Sequence, residues 1–265
     1  MYKKQCFGQS KHDAKADAHG RAVEGIYSYN TMDKYIKVCT QFAEWCKQEY
    51  GCKTINECRQ YSQAYIDSRQ NLSASTLKLD VSALNKLYGE NVCHSEKSRL
   101  RSQITRSRTY TDRSIKAEKQ NPDITEFCRA TGLRRKELVA VRSCDIKTGK
   151  DGKLYVQVQQ GKGGKFRSLE VLEDKKGFVL RYQSDSKERI FDNVPGNLDV
   201  HMYRSEYARA LYNQYYNESD KKLEERNLYY CRGDKKGVVY DRDVMLKVSQ
   251  NLGHNRVSVI AGHYL

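Results

Sequence analysis

The stretch from Ser95 to Gln120 places the strongest constraint on what this chain can fold into. It carries Lys97, Arg99, Arg101, Arg106, Arg108, Arg113, Lys116 and Lys119, interleaved with Ser and Thr and with few apolar residues. A segment of that composition has too little apolar surface to help build a core, so it divides the chain into parts that must each bury their own. At 265 residues, two ordinary domains fit that division. The expected layout is a flexible basic tail over 1–30, a helical domain over 31–95, a basic linker over 96–120 and a second domain over 121–265. The linker's charge suits a segment running along phosphates, with a plain solvated hinge as the alternative.

Residues 1–30 are polar and aperiodic, with Lys3, Lys4, Lys11, Lys15 and Arg21 available for phosphates. From Thr31 the pattern changes. Tyr35, Val38, Cys39, Phe42, Cys46 and Tyr50 recur at helical spacing, with Thr31 as the expected N-cap and Gly51 past the end. Thr54-Ile55-Asn56-Glu57 is a capping box that starts a second helix running towards Arg69. A third helix carries Leu77, Val81, Leu84 and Leu87 on one stripe and stops at Gly89. The exposed faces of this bundle carry Lys34, Lys37, Lys47, Arg59, Lys78 and Lys86, which read equally as a solvated surface or as phosphate contacts.

Beyond Pro122 the pattern predicts a helix to Cys128, a strand through Leu154, Val156 and Val158, a Gly161-Lys162-Gly163-Gly164 turn, and a returning strand over 166–172. Residues 200–265 read mostly as helix. Lys plus Arg number 48 against 33 Asp plus Glu, a net charge of +15. Such a balance suits a polyanionic partner, although solubilising charge alone explains it equally well. No run approaches the roughly 18 apolar residues of a membrane span, and no signal-peptide pattern opens the chain. The nine cysteines form no C-x-x-C pair, and the spacing of Cys39, Cys46, Cys52 and Cys58 does not match structural zinc, so reduced thiols are expected and no metal site.

Four segments of the second domain carry chemistry: Thr131-Gly132-Leu133-Arg134-Arg135-Lys136-Glu137-Leu138, the Gly161 to Gly164 turn, His201-Met202-Tyr203-Arg204, and Leu252-Gly253-His254 followed by Tyr264. In this order they resemble the catalytic set of the tyrosine recombinase (phage integrase) family: Arg, Lys, His, Arg, His and a Tyr nucleophile. The resemblance covers residues 31 to 264, and residues 73–88 are the part most like the family's helical DNA-gripping domain. It implies a mainly α fold with a small antiparallel β-sheet in the catalytic domain, the two domains closing as a C-shaped clamp on double-stranded DNA.

By that resemblance, Arg134 and Arg204 would clamp the scissile phosphate, since a guanidinium is a permanently charged two-pronged fork. Lys162 would be the general acid, His201 would assist activation of the nucleophile, His254 would contact the phosphate, and Glu137 would orient a catalytic side chain. Each has a plainer reading: an ordinary hairpin tip for Lys162, structural histidines, a surface Glu. Tyr264 alone among 20 tyrosines has the register, ten positions after His254, for attack on phosphorus. Further DNA contacts are expected at Lys78, Lys86, Arg99, Arg101, Arg106, Arg108, Lys165 and Arg167. The implied enzyme needs no cofactor, acts as a homotetramer on DNA from a monomer in solution, and works in the bacterial cytoplasm at the nucleoid.

Three departures stand out. Ser205-Glu206-Tyr207-Ala208 replaces the family's usual His-Thr-Phe-Ala. Arg204 and His254 lie fifty positions apart, about twice the family interval, so residues near 213–240 look like an insertion. Relatives normally continue past the tyrosine with a segment that docks on a neighbouring subunit, whereas this chain ends at Leu265. A type IB topoisomerase and a catalytically idle DNA-binding protein on the same fold remain alternative readings of the same residues.

Overall fold

Residues 1–30, expected as a tail, carry elements of structure in the computed structural model, which describes residues 1–9, 11–19, 23–98, 112–161, 164–254 and 256–265. A 3-10 turn at Tyr2–Lys4 precedes helix α1 (Lys11–Asp17), and Gln5 bridges in parallel to Ile26. The burial of Ile26 gives the segment an apolar anchor that composition alone does not reveal. The chain divides into two compact units, Met1–Gln103 and Ile104–Leu265, with the boundary inside the basic stretch.

The first unit is helical: α2 (Tyr29–Tyr50), α3 (Ile55–Cys58), α4 (Ser62–Ser68) and α5 (Ala74–Tyr88). Ser28, rather than Thr31, caps α2, its Oγ accepting from Thr31 N at 3.2 Å. Thr54 caps α3 as expected, but a 3-10 turn at Arg59–Tyr61 separates α3 from α4 where a single helix was predicted. Gly51 and Gly89 end α2 and α5 in the left-handed conformation that glycine adopts without strain. Phe42, Cys46 and Leu84 of the predicted stripes are buried together with Cys58, Tyr65, Ile66 and Cys93, which the stripes did not include. Tyr50, expected on the first stripe, is exposed and stacks on Tyr61 with ring centroids 3.7 Å apart. All nine cysteines are free, and burial pushes the Cys39 thiol up to about 11.

The second unit begins with α6 (Asp112–Gln120), so the last part of the expected linker is helical, and its Ala117 is buried in this unit's core. Then come α7 (Pro122–Thr131), α8 (Arg135–Ala140) and an antiparallel sheet of β1 (Ile146–Thr148), β2 (Leu154–Val158) and β3 (Arg167–Glu170) in the order β1-β2-β3. The alternation of β2 buries Leu154, Val156 and Val158, and Val156 lies opposite both Ile146 and Leu169. α9 (Lys176–Leu180) leads to α10 (Val200–Asn217), which packs Tyr203, Tyr207 and Leu211 into the core. The stretch predicted as helix after α10 instead contains a hairpin of β4 (Leu228–Tyr230) and β5 (Val239–Asp241), then α11 (Arg242–Asn251) and α12 (Val257–His263). The mainly helical class with small antiparallel sheets is as the sequence implied. Among the described residues, no helix is long and apolar enough to cross a membrane.

Candidate active site

Four elements meet at the site, and two of them donate to the carbonyl of Leu252. The turn after α7 supplies Arg134, the first turns of α10 supply Arg204, the end of α11 supplies Leu252 itself, and the residue after α12 supplies Tyr264. Arg134 Nη2 donates to Leu252 O at 3.0 Å and Arg204 Nη2 donates to the same oxygen at 2.6 Å. Two cations from distant segments thus share one acceptor, which offsets part of their mutual repulsion.

Gly132 makes this convergence possible. It ends α7 with φ of +59°, and a Cβ there would sit 2.3 Å from the Tyr207 ring, one helical turn beyond Arg204. The same residue's carbonyl accepts from Arg204 Nη1. Arg204 is 0% exposed, and its remaining ring-side donor, Nε, gives a hydrogen bond to Tyr264 Oη at 3.1 Å. Burial lowers the Arg204 pKa, the adjacent Tyr264 opposes that, and the charge of Arg134 adds to it. A guanidinium stays charged regardless.

His254 lies on the other side of the phenol. Its Nε2 is 3.4 Å from Tyr264 Oη and 3.4 Å from Arg134 Nη2. Arg has no acceptor, so a hydrogen bond from Arg134 to Nε2 requires that nitrogen to be unprotonated. The phenol oxygen thus has the buried Arg204 guanidinium on one contact and the His254 imidazole on another.

Glu137 anchors Arg134 from below. Its Oε2 accepts from Arg134 N at 2.8 Å, capping α8, and its Oε1 accepts from Arg134 Nη1 at 2.9 Å. Arg167 completes the grip with Nη1 to Oε1 at 2.8 Å and Nη2 to Oε2 at 2.7 Å. Burial on its own would raise the Glu137 pKa, but the hydrogen bonds and charges from Arg167 and Arg134 outweigh it and hold the carboxyl at about 2.

Of the residues singled out from sequence, the structure gathers Arg134, Glu137, Arg204, His254 and Tyr264. His201 is exposed in the first turn of α10, three residues before Arg204. Lys162 lies outside the described residues, as do Arg99, Arg101, Arg106 and Arg108. Lys78 and Lys165 are exposed. Lys86 is half-buried with Nζ donating to Val23 O at 2.6 Å, and Arg167, expected on DNA, faces Glu137. The carbonyls of Gly132 and Leu252 were not anticipated, because a main-chain acceptor leaves no signature in side-chain identity.

Residues 23–96 match the phage integrase N-terminal SAM-like domain. No curated protein matches the chain in sequence. Among solved structures, the fold is similar to XerH site-specific recombinase bound to palindromic difH substrate in a post-cleavage complex. The TM-score is 0.51 at 12% identity, covering 89% of this chain and 75% of that one. A pre-cleavage complex of XerH with difH substrate gives 0.46 at 13% identity, covering 86% and 74%, and XerA recombinase gives 0.34 at 16%, covering 95% and 91%. The family match is confined to residues 23–96, and at 12% identity the likeness to XerH is one of fold.

Proposed function

We propose that this protein is a site-specific DNA recombinase of the integrase type, which cleaves and rejoins strands through a 3′-phosphotyrosine and serves the integration and excision of a mobile element. The observation that carries the reading is the Tyr264 oxygen held 3.1 Å from Arg204 Nε and 3.4 Å from His254 Nε2. A phenol has an unperturbed pKa near 10, so it becomes a nucleophile at neutral pH only where a cation and a base adjoin it.

In the proposed reaction Tyr264 Oη attacks the scissile phosphorus and passes its proton to His254 Nε2. Its position next to the phenol supports His254 for this step, whereas the family resemblance assigns the step to His201. Arg134 and Arg204 neutralise the non-bridging oxygens as the phosphorane forms, typically the largest contribution to such a rate. The bond to the 5′ oxygen breaks, and Lys162, assigned by resemblance, supplies the proton that leaves a 5′ hydroxyl. The covalent link conserves the phosphodiester energy, so a 5′ hydroxyl from a second strand can reverse the step and exchange partners. Exchange between two sites calls for four such tyrosines, hence a tetramer on double-stranded DNA.

The test is a nicked duplex bearing a recombination site taken from the DNA flanking the gene. The wild-type chain is expected to give an SDS-resistant adduct, and Tyr264→Phe to bind equally but give none. An adduct on Tyr264→Phe, or one mapping to another tyrosine, would overturn the assignment. Release of supercoils from a plasmid by monomers, without resolution of a four-way junction, would instead indicate a topoisomerase.

A further inference from the structure

We propose that Arg167 is a positioning residue that acts through Glu137 on Arg134, rather than a contact to DNA. The proposal rests on the recombinase reading for its activity readout. Arg167 opens β3, and its side chain, 11% exposed, is turned to Glu137. Its two Nη groups meet the two oxygens of Glu137 at 2.8 and 2.7 Å, the parallel fork that only arginine makes. Each Glu137 oxygen also takes one donor from Arg134, Oε1 from Nη1 and Oε2 from the main-chain N. The carboxylate is thus held by four donors from two sides.

Two consequences follow for Arg134. The fork fixes the plane of the carboxylate, and that plane fixes the direction in which Arg134 points. The second positive charge also shares the carboxylate, so Glu137 does not cancel the charge that Arg134 offers to phosphate. Without Arg167, a carboxylate 4% exposed would face Arg134 alone. The surroundings leave space for this arginine. A Cβ at Gly161 would lie 2.9 Å from Arg167 Nη1, and one at Gly253, next to His254, would lie 3.1 Å from its Cδ. Arg167 Nε is buried without an acceptor among the described residues, so the fork to Glu137 is what orients this side chain.

A double-mutant cycle on the full chain tests this, read as single-turnover adduct formation on the nicked duplex together with DNA affinity at several salt concentrations. Arg167→Met is expected to slow adduct formation on the order of 10- to 100-fold, as misplacing a clamp does, with affinity and salt slope unchanged. Arg167→Lys, which keeps the charge but not the fork, should not restore the rate. In a Glu137→Gln background the Arg167→Met change should cost less than about threefold more, because its route of action is already cut. A salt slope lower by about 0.9 in Arg167→Met would mean a direct phosphate contact and overturn the proposal. Losses that multiply in the double variant would overturn it too. Thermal unfolding checks that each variant folds, and Arg167→Lys decides the matter if Arg167→Met does not. If the wild type makes no adduct, the recombinase reading fails by itself. The proposal is then decided by NMR exchange of the Arg134 Nε–H, which must quicken in Arg167→Lys and would refute it if unchanged.

Discussion

Glu137 carries more of the site than its place one turn after Arg134 suggests. It caps α8, pairs with Arg134 and receives the Arg167 fork, and these donors hold its carboxyl at about 2 against an ordinary value of 4.5. A carboxyl depressed on folding contributes stability that is fully present above its unfolded value and is lost as the pH falls through the folded one. The window is therefore from about pH 4.5 down to about 2. The difference in Tm between wild type and Glu137→Gln should shrink steadily across that window. A difference that stays constant on acidification would show that the carboxylate charge is not what is being held. At this scale Arg134, Arg204, His254 and Tyr264 were legible because each sits in a short motif, while Arg167 was read as a phosphate contact because nothing local marks its partner thirty residues away.

At the scale of elements, the turn between α7 and α8 sets the geometry. Gly132 combines a φ of +59° with a Tyr207 ring 2.3 Å from where a Cβ would stand. Gly132→Ala should lose about 2–4 kcal/mol in urea unfolding, from backbone strain and overpacking together. Gly177→Ala is the control, since it lies within α9 with nothing within 4 Å of its Cβ, and should be neutral or stabilising. Equal losses at both positions would show that the approach of Tyr207 is not the cause. The hairpin of β4 and β5 gives structure to the apparent insertion near 213–240. The Arg226–Asp241 ion pair at 3.0 Å ties it down, and Asp241 also caps α11. Near its tip, Lys235 Nζ donates to Ala261 O at 3.2 Å and Leu265 O at 2.6 Å, bracketing Tyr264 from the carbonyl end of α12.

For the molecule as a whole, the net charge of +15 and the burial of Arg204 predict that affinity and chemistry separate. Arg106 and Arg108 belong to the basic stretch that the sequence reads as a linker, and replacing both by Ala should weaken binding to all DNA sequences. Each lost phosphate contact would lower the salt slope by about 0.9. Arg204, fully buried, and Arg134 should instead lose adduct formation with little change in affinity. Equal affinity losses for both pairs would show that no such division exists.

The sequence by itself determined α2 and α5 of the first unit, the β2 and β3 strands and the order in which Arg134, Arg204, His254 and Tyr264 follow one another. Periodicity, caps and short motifs are local, and Thr54, Gly51 and Gly89 each act within a few residues of where they stand. Only the tertiary structure decided what those residues touch. Leu252 O receives Arg134 from 118 positions away and Arg204 from 48, and Arg167 reaches Glu137 across 30. Such bonds depend on how separate elements pack, and main-chain carbonyls are present at every residue, so no pattern along the chain singles out the one at which two arginines meet.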